Sequence, residues 1–251
     1  METNNEQIVG ANEDATIALT NVPQKKVVTE DLGKIFEMAI CLLYGIHYDG
    51  KYKYSLEEAA KLKDRIISLH SIFPYELKHT AKNGNKYDFT GAIDETVQLS
   101  AKTTKKDGKV CPQVIGQPSR KKFCDVFGLD IGKIDVSGNM DEVKQFIETN
   151  VLTMLEIYAQ NTFDCPIVYY NKHKDKLLFV QLKKPIIWTT YAVSFSHIVK
   201  NKKWNESSTI SVNGTTIGEF QVHTHRDCIK FRWSFEKLLE LFSDHFEITN
   251  L

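Results

Sequence analysis

Asp88 and Lys102 are the two side chains whose types and spacing point most directly to chemistry. Asp88 falls early in a strand pattern from Lys86 to Ile93, and Lys102 falls late in a second from Thr96 to Thr103. Asp94-Glu95 between them reads as a hairpin turn. Residues two apart in a strand share a face, so Gln98, Ser100 and Lys102 point the same way, and the hairpin brings Asp88 beside them. A carboxylate with a nearby backbone carbonyl holds a hard divalent cation, usually Mg2+. Such a cation polarises a phosphoryl oxygen and lowers the pKa of a bound water. An ammonium group alongside orients that water and offsets the negative charge that develops. The bland alternative is an exposed cross-strand ion pair. Glu76-Leu77-Lys78 repeats the acid-x-Lys pattern after Pro74, but no acidic strand precedes it, and it reads as an ordinary surface pair.

Basic residues crowd the segment that follows. Between Lys102 and Lys122 stand Lys102, Lys105, Lys106, Lys109, Arg120, Lys121 and Lys122 against one acid, Asp107. A local excess of this kind neutralises nucleic-acid phosphates even when the whole chain is neutral. Gln113, Gln117 and Ser119 are interleaved, and glutamine and arginine are the side chains that pair bidentately with adenine and guanine. A second candidate contact surface is the hairpin pattern Gly218–Trp233, whose alternation puts Gln221, His223 and His225 on one face, followed by Arg226 and Lys230. Each of these also has a bland reading, a solvated basic loop and a half-exposed hairpin. His223, His225 and Cys228 are zinc-type ligands that lack a fourth partner at suitable spacing.

The elements that must position these groups follow from periodicity. Leu32, Ile35, Phe36, Ala39, Ile40, Leu42 and Leu43 make a largely buried helix that Gly45 ends. Ser55-Leu56-Glu57-Glu58 looks like a capping box opening a second helix to about His70. Val110 to Ile115 reads as a strand broken by Gly116-Gln117-Pro118, and Ser119 caps a short basic helix. Asn139-Met140-Asp141-Glu142 opens the longest helix, to about Gln160. Strand patterns then run over Ile167–Tyr170, Leu177–Leu182, Ile186–Phe195, Thr209–Val212, Thr216–Thr224 and Cys228–Trp233, and Ser234 starts a last helix. This order predicts an α/β (α+β) fold with a mixed central β-sheet flanked by helices.

The chain has 251 residues, enough for one good-sized core. Residues 1–26, polar and without period, read as a loose tail, and 27–251 as a single domain. Within it, about 29–160 forms the chemical core and about 161–251 a strand-rich, nucleic-acid-contacting part. Lys+Arg and Asp+Glu balance at 32 each, so a nucleic-acid partner requires the basic residues to segregate onto one face. Five cysteines without a CxxC pair argue against a disulfide framework and for a reducing cytoplasm. No signal-peptide pattern or membrane-length apolar run is visible.

Asp88, the hairpin and Ser100-Ala101-Lys102 resemble the PD-(D/E)xK nuclease core, supported by the Gly84-x-Lys86-x-Asp88 approach and the basic tail after Lys102. Upstream, Asp31-Leu32-Gly33-Lys34-Ile35-Phe36-Glu37 resembles the first-helix motif of small type II restriction endonucleases that cut four-base sites. The resemblance is clear over 29–45 and 82–122. Tyr87 stands in place of the motif's proline, and Ser100 in place of its second acid.

The resemblance implies a restriction-endonuclease-like core and Mg2+-dependent cleavage of double-stranded DNA. It implies metal ligation by Asp88, the Ala101 carbonyl and Ser100, a catalytic role for Lys102, and help from Glu37. It further implies a cognate DNA methyltransferase, and it leaves a homodimer open. Two other readings remain: a repair or nicking nuclease of the same superfamily, and a DNA-binding module that has lost catalysis, which Ser100 keeps in play.

Overall fold

The computed structural model describes residues 29–82, 85–106, 108–130, 132 and 140–251. The tail expected over 1–26 lies outside the described residues, as do Gly84, Asp107 and Asn139.

A six-stranded mixed sheet has the order β1-β2-β3-β5-β6-β11. Its strands are β1 (Leu77–His79), β2 (Phe89–Gly91), β3 (Gln98–Thr104), β5 (Ile167–Asn171), β6 (Lys176–Leu182) and β11 (Phe246–Asn250). Only β3 and β5 run parallel in it; the neighbours on either side pair antiparallel. A parallel pair needs a long crossover. Here the crossover carries β4 (Lys109–Val110), α4 (Arg120–Phe127) and the long helix α5 (Asp141–Thr162). A second, five-stranded antiparallel sheet has the order β4-β10-β9-β8-β7, with β7 (Val193–Phe195), β8 (Ser207–Val212), β9 (Thr215–Val222) and β10 (Ile229–Ser234).

The sheet's alternation sorts side chains into two cores. Every residue of β5 is buried, as expected for a central strand covered on both faces. Val168 and Tyr170, with Leu177 and Phe179 of β6, pack with the buried residues of α1 (Thr29–Tyr44) and α2 (Leu56–Arg65). Ile167 and Tyr169, with Leu178 and Val180, join the opposite core of α5 and the second sheet. There the Tyr158 and Phe231 rings stack at 4.2 Å, and Trp233 donates its indole N–H to Thr162 Oγ1 at 2.8 Å. In α1, Leu32, Ile35, Phe36, Ala39 and Ile40 are all buried, the 3-and-4 spacing of a helix seated on a sheet. Gly45 follows at φ +64°, a helix-ending conformation that favours glycine.

Several expected elements differ. The second helix stops at Arg65, and a separate turn of helix, α3 (Leu69–Ile72), follows. Ser55 caps α2 by accepting from the Glu57 N–H. Of the strand expected over Val110–Ile115 only Val110 is realised, in the two-residue β4 (Lys109–Val110); Pro112 has no N–H to extend the ladder, and the chain then turns at Val114, φ 60°. The run Ile186–Phe195 is split into a 3-10 turn at Trp188–Thr190 and the short β7. β1 and β11 are sheet strands that the pattern did not mark, and short helices α6 (Ser196–Val199) and α7 (Phe235–Leu241) complete the set.

Candidate active site

Asp88 immediately precedes β2, and Lys102 lies in β3, which pairs with β2 through Phe89↔Leu99 and Thr90↔Gln98. The turn between them is closed by Val97 N–H donating to the Asp94 carbonyl, and Asp94 Oδ1 accepts from both the N–H and hydroxyl of Thr96. This register brings the two groups together. Ala101 N–H donates to Asp88 Oδ2 at 2.8 Å, and the Lys102 ammonium lies 3.4 Å from the same oxygen. Both side chains are about one-fifth exposed, enough to meet water and a substrate but not to be freely solvated.

Tyr87, in the proline's place, has a structural job. Its hydroxyl donates to Asp164 Oδ2 at 2.6 Å, and Lys86 pairs with the same carboxylate. Asp164 sits in the turn between α5 and β5, so the segment entering Asp88 is moored to the crossover.

Asp88 and Lys102 open onto a cleft of about 400 Å3 that Lys109, Cys111 and Gln113 also line. Ser100, on the Lys102 face of β3, is fully buried, and its hydroxyl accepts from Gln113 Nε2 at 2.8 Å. Gln113 is itself buried, and its amide oxygen has no hydrogen-bond partner among the described residues. It was expected to be an exposed base contact; the turn at Val114 tucks it inward instead, behind the Asp88–Lys102 pair. A β-branched residue at positive φ is strained, and such strain persists where surroundings over-determine the geometry. The cleft's thiol, Cys111, is pushed up by burial despite the nearby Lys230, Arg232 and Lys102 charges, so it stays protonated at neutral pH. Cys165, behind Ser100, is pushed up to about 12 by burial and the Asp164 charge.

Glu37 projects from α1 to His79 of β1, whose Nε2 lies 3.2 Å from its carboxylate. His79 Nδ1 accepts from the Asp49 N–H at 3.0 Å, which fixes the proton on Nε2 and makes it the donor to Glu37. Glu37 is not among the residues lining the Asp88 cleft.

The remaining nominated residues divide into occupied and outward-facing groups. Lys109 pairs with Glu219, which also accepts from Gln221 at 3.0 Å and Arg232 at 3.0 Å. Burial alone would raise the Glu219 carboxyl, yet hydrogen bonds from Lys109 and Gln221 and the charges of Lys109 and Arg232 hold it below its usual range. Arg120 donates to the carbonyls of Thr224 and Arg226 at 2.7 and 3.0 Å, pinning the β9–β10 turn to α4. Ser119 accepts from the Lys122 N–H and caps α4. Gln117 reaches the Cys228 sulfur at 3.8 Å. Lys106, Lys121, Lys122 and Arg226 are exposed, while Lys105 and Lys230 are half-buried. His223 and His225 do not continue β9, which ends at Val222, but fold over Glu206.

Sequence spacing gave no sign of the partners Asp164, His79, Glu206 and Glu219. Each comes from a strand or loop far along the chain and meets its residue only through the sheet pairings.

These features define a class: an α+β protein whose mixed sheet carries an acid and a lysine side by side at a basic cleft. No family model matches the chain, and no solved structure matches it. The chain is similar to the type II restriction enzyme CviAII of Paramecium bursaria Chlorella virus 1, with 46% identity over 226 residues. That alignment covers 90% of this chain, which spans 64% of the length of the viral enzyme.

Proposed function

We propose that this chain is a sequence-specific endonuclease of double-stranded DNA, a type II restriction enzyme with a PD-(D/E)xK centre that works with Mg2+. The contact of Asp88 with both the Ala101 amide and the Lys102 ammonium carries the proposal. It is supported by the similarity to a type II restriction enzyme over most of the chain.

The donor set suits a hard cation. Asp88, the Ser100 hydroxyl and the Gln113 amide oxygen all offer oxygens, and the last is buried without a partner among the described residues. With the Ala101 carbonyl, these are the groups that would hold the metal, and Gln113 adds an oxygen beside the neutral Ser100. When bound, Mg2+ supplies charge to the scissile phosphate and acidifies a water. Asp88 fixes the position of that charge, and its hydrogen bond from Ala101 N–H holds the carboxylate in place. Lys102 orients the attacking water and stabilises the charge that builds on the phosphate oxygens. Glu37, held by His79, contributes negative charge from the α1 side of the sheet. Hydrolysis leaves a 5′-phosphate and a 3′-hydroxyl.

Lys106, Lys121, Lys122, Arg226 and Lys230, with Lys105, would meet the DNA backbone, and Gln117 the bases. Lys109, Ser119, Arg120, Gln221, His223 and His225 act one step back, by shaping the surface that carries them. A homodimer suits a palindromic site, and a cognate methyltransferase would protect the host's own DNA. The five free cysteines suit a reducing cytoplasm.

Lys102→Ala should lower cleavage by on the order of 10^2-fold or more and leave DNA affinity largely intact, as read by gel cleavage beside a mobility-shift titration in Ca2+. Undiminished cutting, or loss of binding with the fold preserved, contradicts the assignment. One observation favours a second reading, a silent DNA-binding module: Asp88 is the sole carboxylate lining the cleft among the described residues. That reading requires metal-independent binding and no cleavage by the wild type. A repair or nicking nuclease would instead cut mismatched or single-stranded DNA in preference to intact duplex.

A further inference from the structure

Glu206, His223 and His225 converge from two separate stretches of chain. Glu206 immediately precedes β8, and the two histidines sit in the turn between β9 and β10. His223 Nδ1 lies 3.1 Å from one oxygen of Glu206, and His225 Nδ1 lies 3.8 Å from the other. One ligand atom from each residue lies within 4.8 Å of the others. The two imidazole rings meet edge to face with centroids 5.3 Å apart.

The backbone around the cluster is already fixed. Val222 N–H donates to the Glu206 carbonyl at 2.8 Å, and Arg120 donates to the carbonyls of Thr224 and Arg226. His223 Nδ1 is buried and makes no hydrogen bond among the described residues, although the carboxylate is near: the distance is met but the direction is not. A buried ring nitrogen left unsatisfied beside a carboxylate and a second imidazole is an arrangement a metal ion would complete.

We propose that Glu206, His223 and His225 form a second metal site, distinct from the Asp88 cleft, that takes a borderline divalent transition metal, most naturally Zn2+. Two imidazoles and one carboxylate are a zinc-type donor set with about 2.0–2.2 Å bonds and a fourth position left to water. The nitrogens exclude Mg2+ and Ca2+, which prefer all-oxygen shells. The cation clamps the β9–β10 turn to the start of β8. It fixes the exposed Arg226 and leaves a net positive charge on the surface beside the basic helix α4. Cys228, the thiol considered with these histidines from sequence, is instead within reach of Gln117, and Glu206 takes its place.

The test is isothermal titration of the metal-stripped full chain with ZnCl2 in excess MgCl2, paired with the visible absorption of bound Co2+. The expected result is one equivalent of zinc bound despite the magnesium, with His223→Ala, His225→Ala and Glu206→Gln each weakening binding by on the order of 10-fold or more. His173→Ala, elsewhere on the surface, should bind like wild type. Circular dichroism confirms that each variant is folded. No zinc uptake at micromolar concentration, or uptake that survives both histidine substitutions, overturns the proposal. Neither result depends on whether the Asp88 cleft cuts DNA.

Discussion

At the scale of single residues, the molecule depends on carboxylates held by hydrogen bonds. Glu219 receives Lys109, Gln221 and Arg232, and Glu236 receives Tyr169, Asn171 and Lys174 at 2.9, 2.5 and 2.8 Å. Burial opposes ionisation of Glu236, but the hydrogen bonds from Lys174, Asn171 and Tyr169 and the Lys174 charge hold its carboxyl low as well. A carboxyl whose folded pKa is lowered contributes stability that is present above its unfolded value, about 4.3, and is lost as pH falls through the folded one. The melting temperature should therefore hold above about pH 5 and drop steeply below about pH 4. The pair Glu219→Gln and Glu236→Gln should flatten that drop and cost about 2 kcal/mol each at neutral pH, the scale of hydrogen bonds to a charged group, measured by urea unfolding. A drop equally steep in the double variant would show that other groups govern it. Asp88 and Lys102 were legible at this scale because strand alternation and one short turn are enough to join them. Gln113 was not, since its inward turn depends on the Val114 backbone conformation, which no residue type announces.

At the scale of elements, the β2–β3 turn decides whether the site exists. Gly91 shows why: a Cβ built there would collide with the Asp94 carbonyl oxygen and press on Val97 Cβ at 3.1 Å. Gly91→Ala should force the turn open and destabilise the fold by roughly 1–3 kcal/mol. By shifting Asp88 about an ångström it should lower cleavage by on the order of 10^2-fold. Cleavage per folded molecule equal to wild type would mean the turn does not set the geometry. Helix positions were the most legible elements, because α1, α4 and α5 carry long periodic patterns or clear caps. The short strands were least legible. β1 is three residues long and reads as an exposed Glu-Leu-Lys pair, although Lys78 in it binds Glu95 across the hairpin. The division of strands into two sheets depends on pairings between distant segments, to which local periodicity is blind.

At the scale of the whole molecule, formal charge is balanced, yet exposed cations gather on α4 and the adjoining turns. Lys121 and Lys122 have no ion pair among those the described residues make, so they are suited to DNA phosphates. Removing both to alanine should reduce the slope of log affinity against log salt by about 2 and weaken specific and non-specific sites alike. An unchanged slope would place the DNA on another face. The site and this surface are neighbours in the chain, since β3, β4 and α4 follow in order, and Tyr169 and Glu236 tie the central strand to the last helix. No helix among the described residues is long and apolar enough to cross a membrane.

The central claim is metal-dependent cutting of duplex DNA at a defined sequence through the Asp88–Lys102 pair. The most direct test is incubation of the purified chain with a sequenced plasmid, first stripped with EDTA and then given Mg2+ alone or Mg2+ with Zn2+, followed by gel separation and sequencing of the ends. The account predicts discrete fragments that require Mg2+, share one short sequence at their ends, and vanish with Asp88→Ala. Intact plasmid under every metal condition, together with a metal-independent mobility shift, would contradict it and make the chain a DNA-binding module.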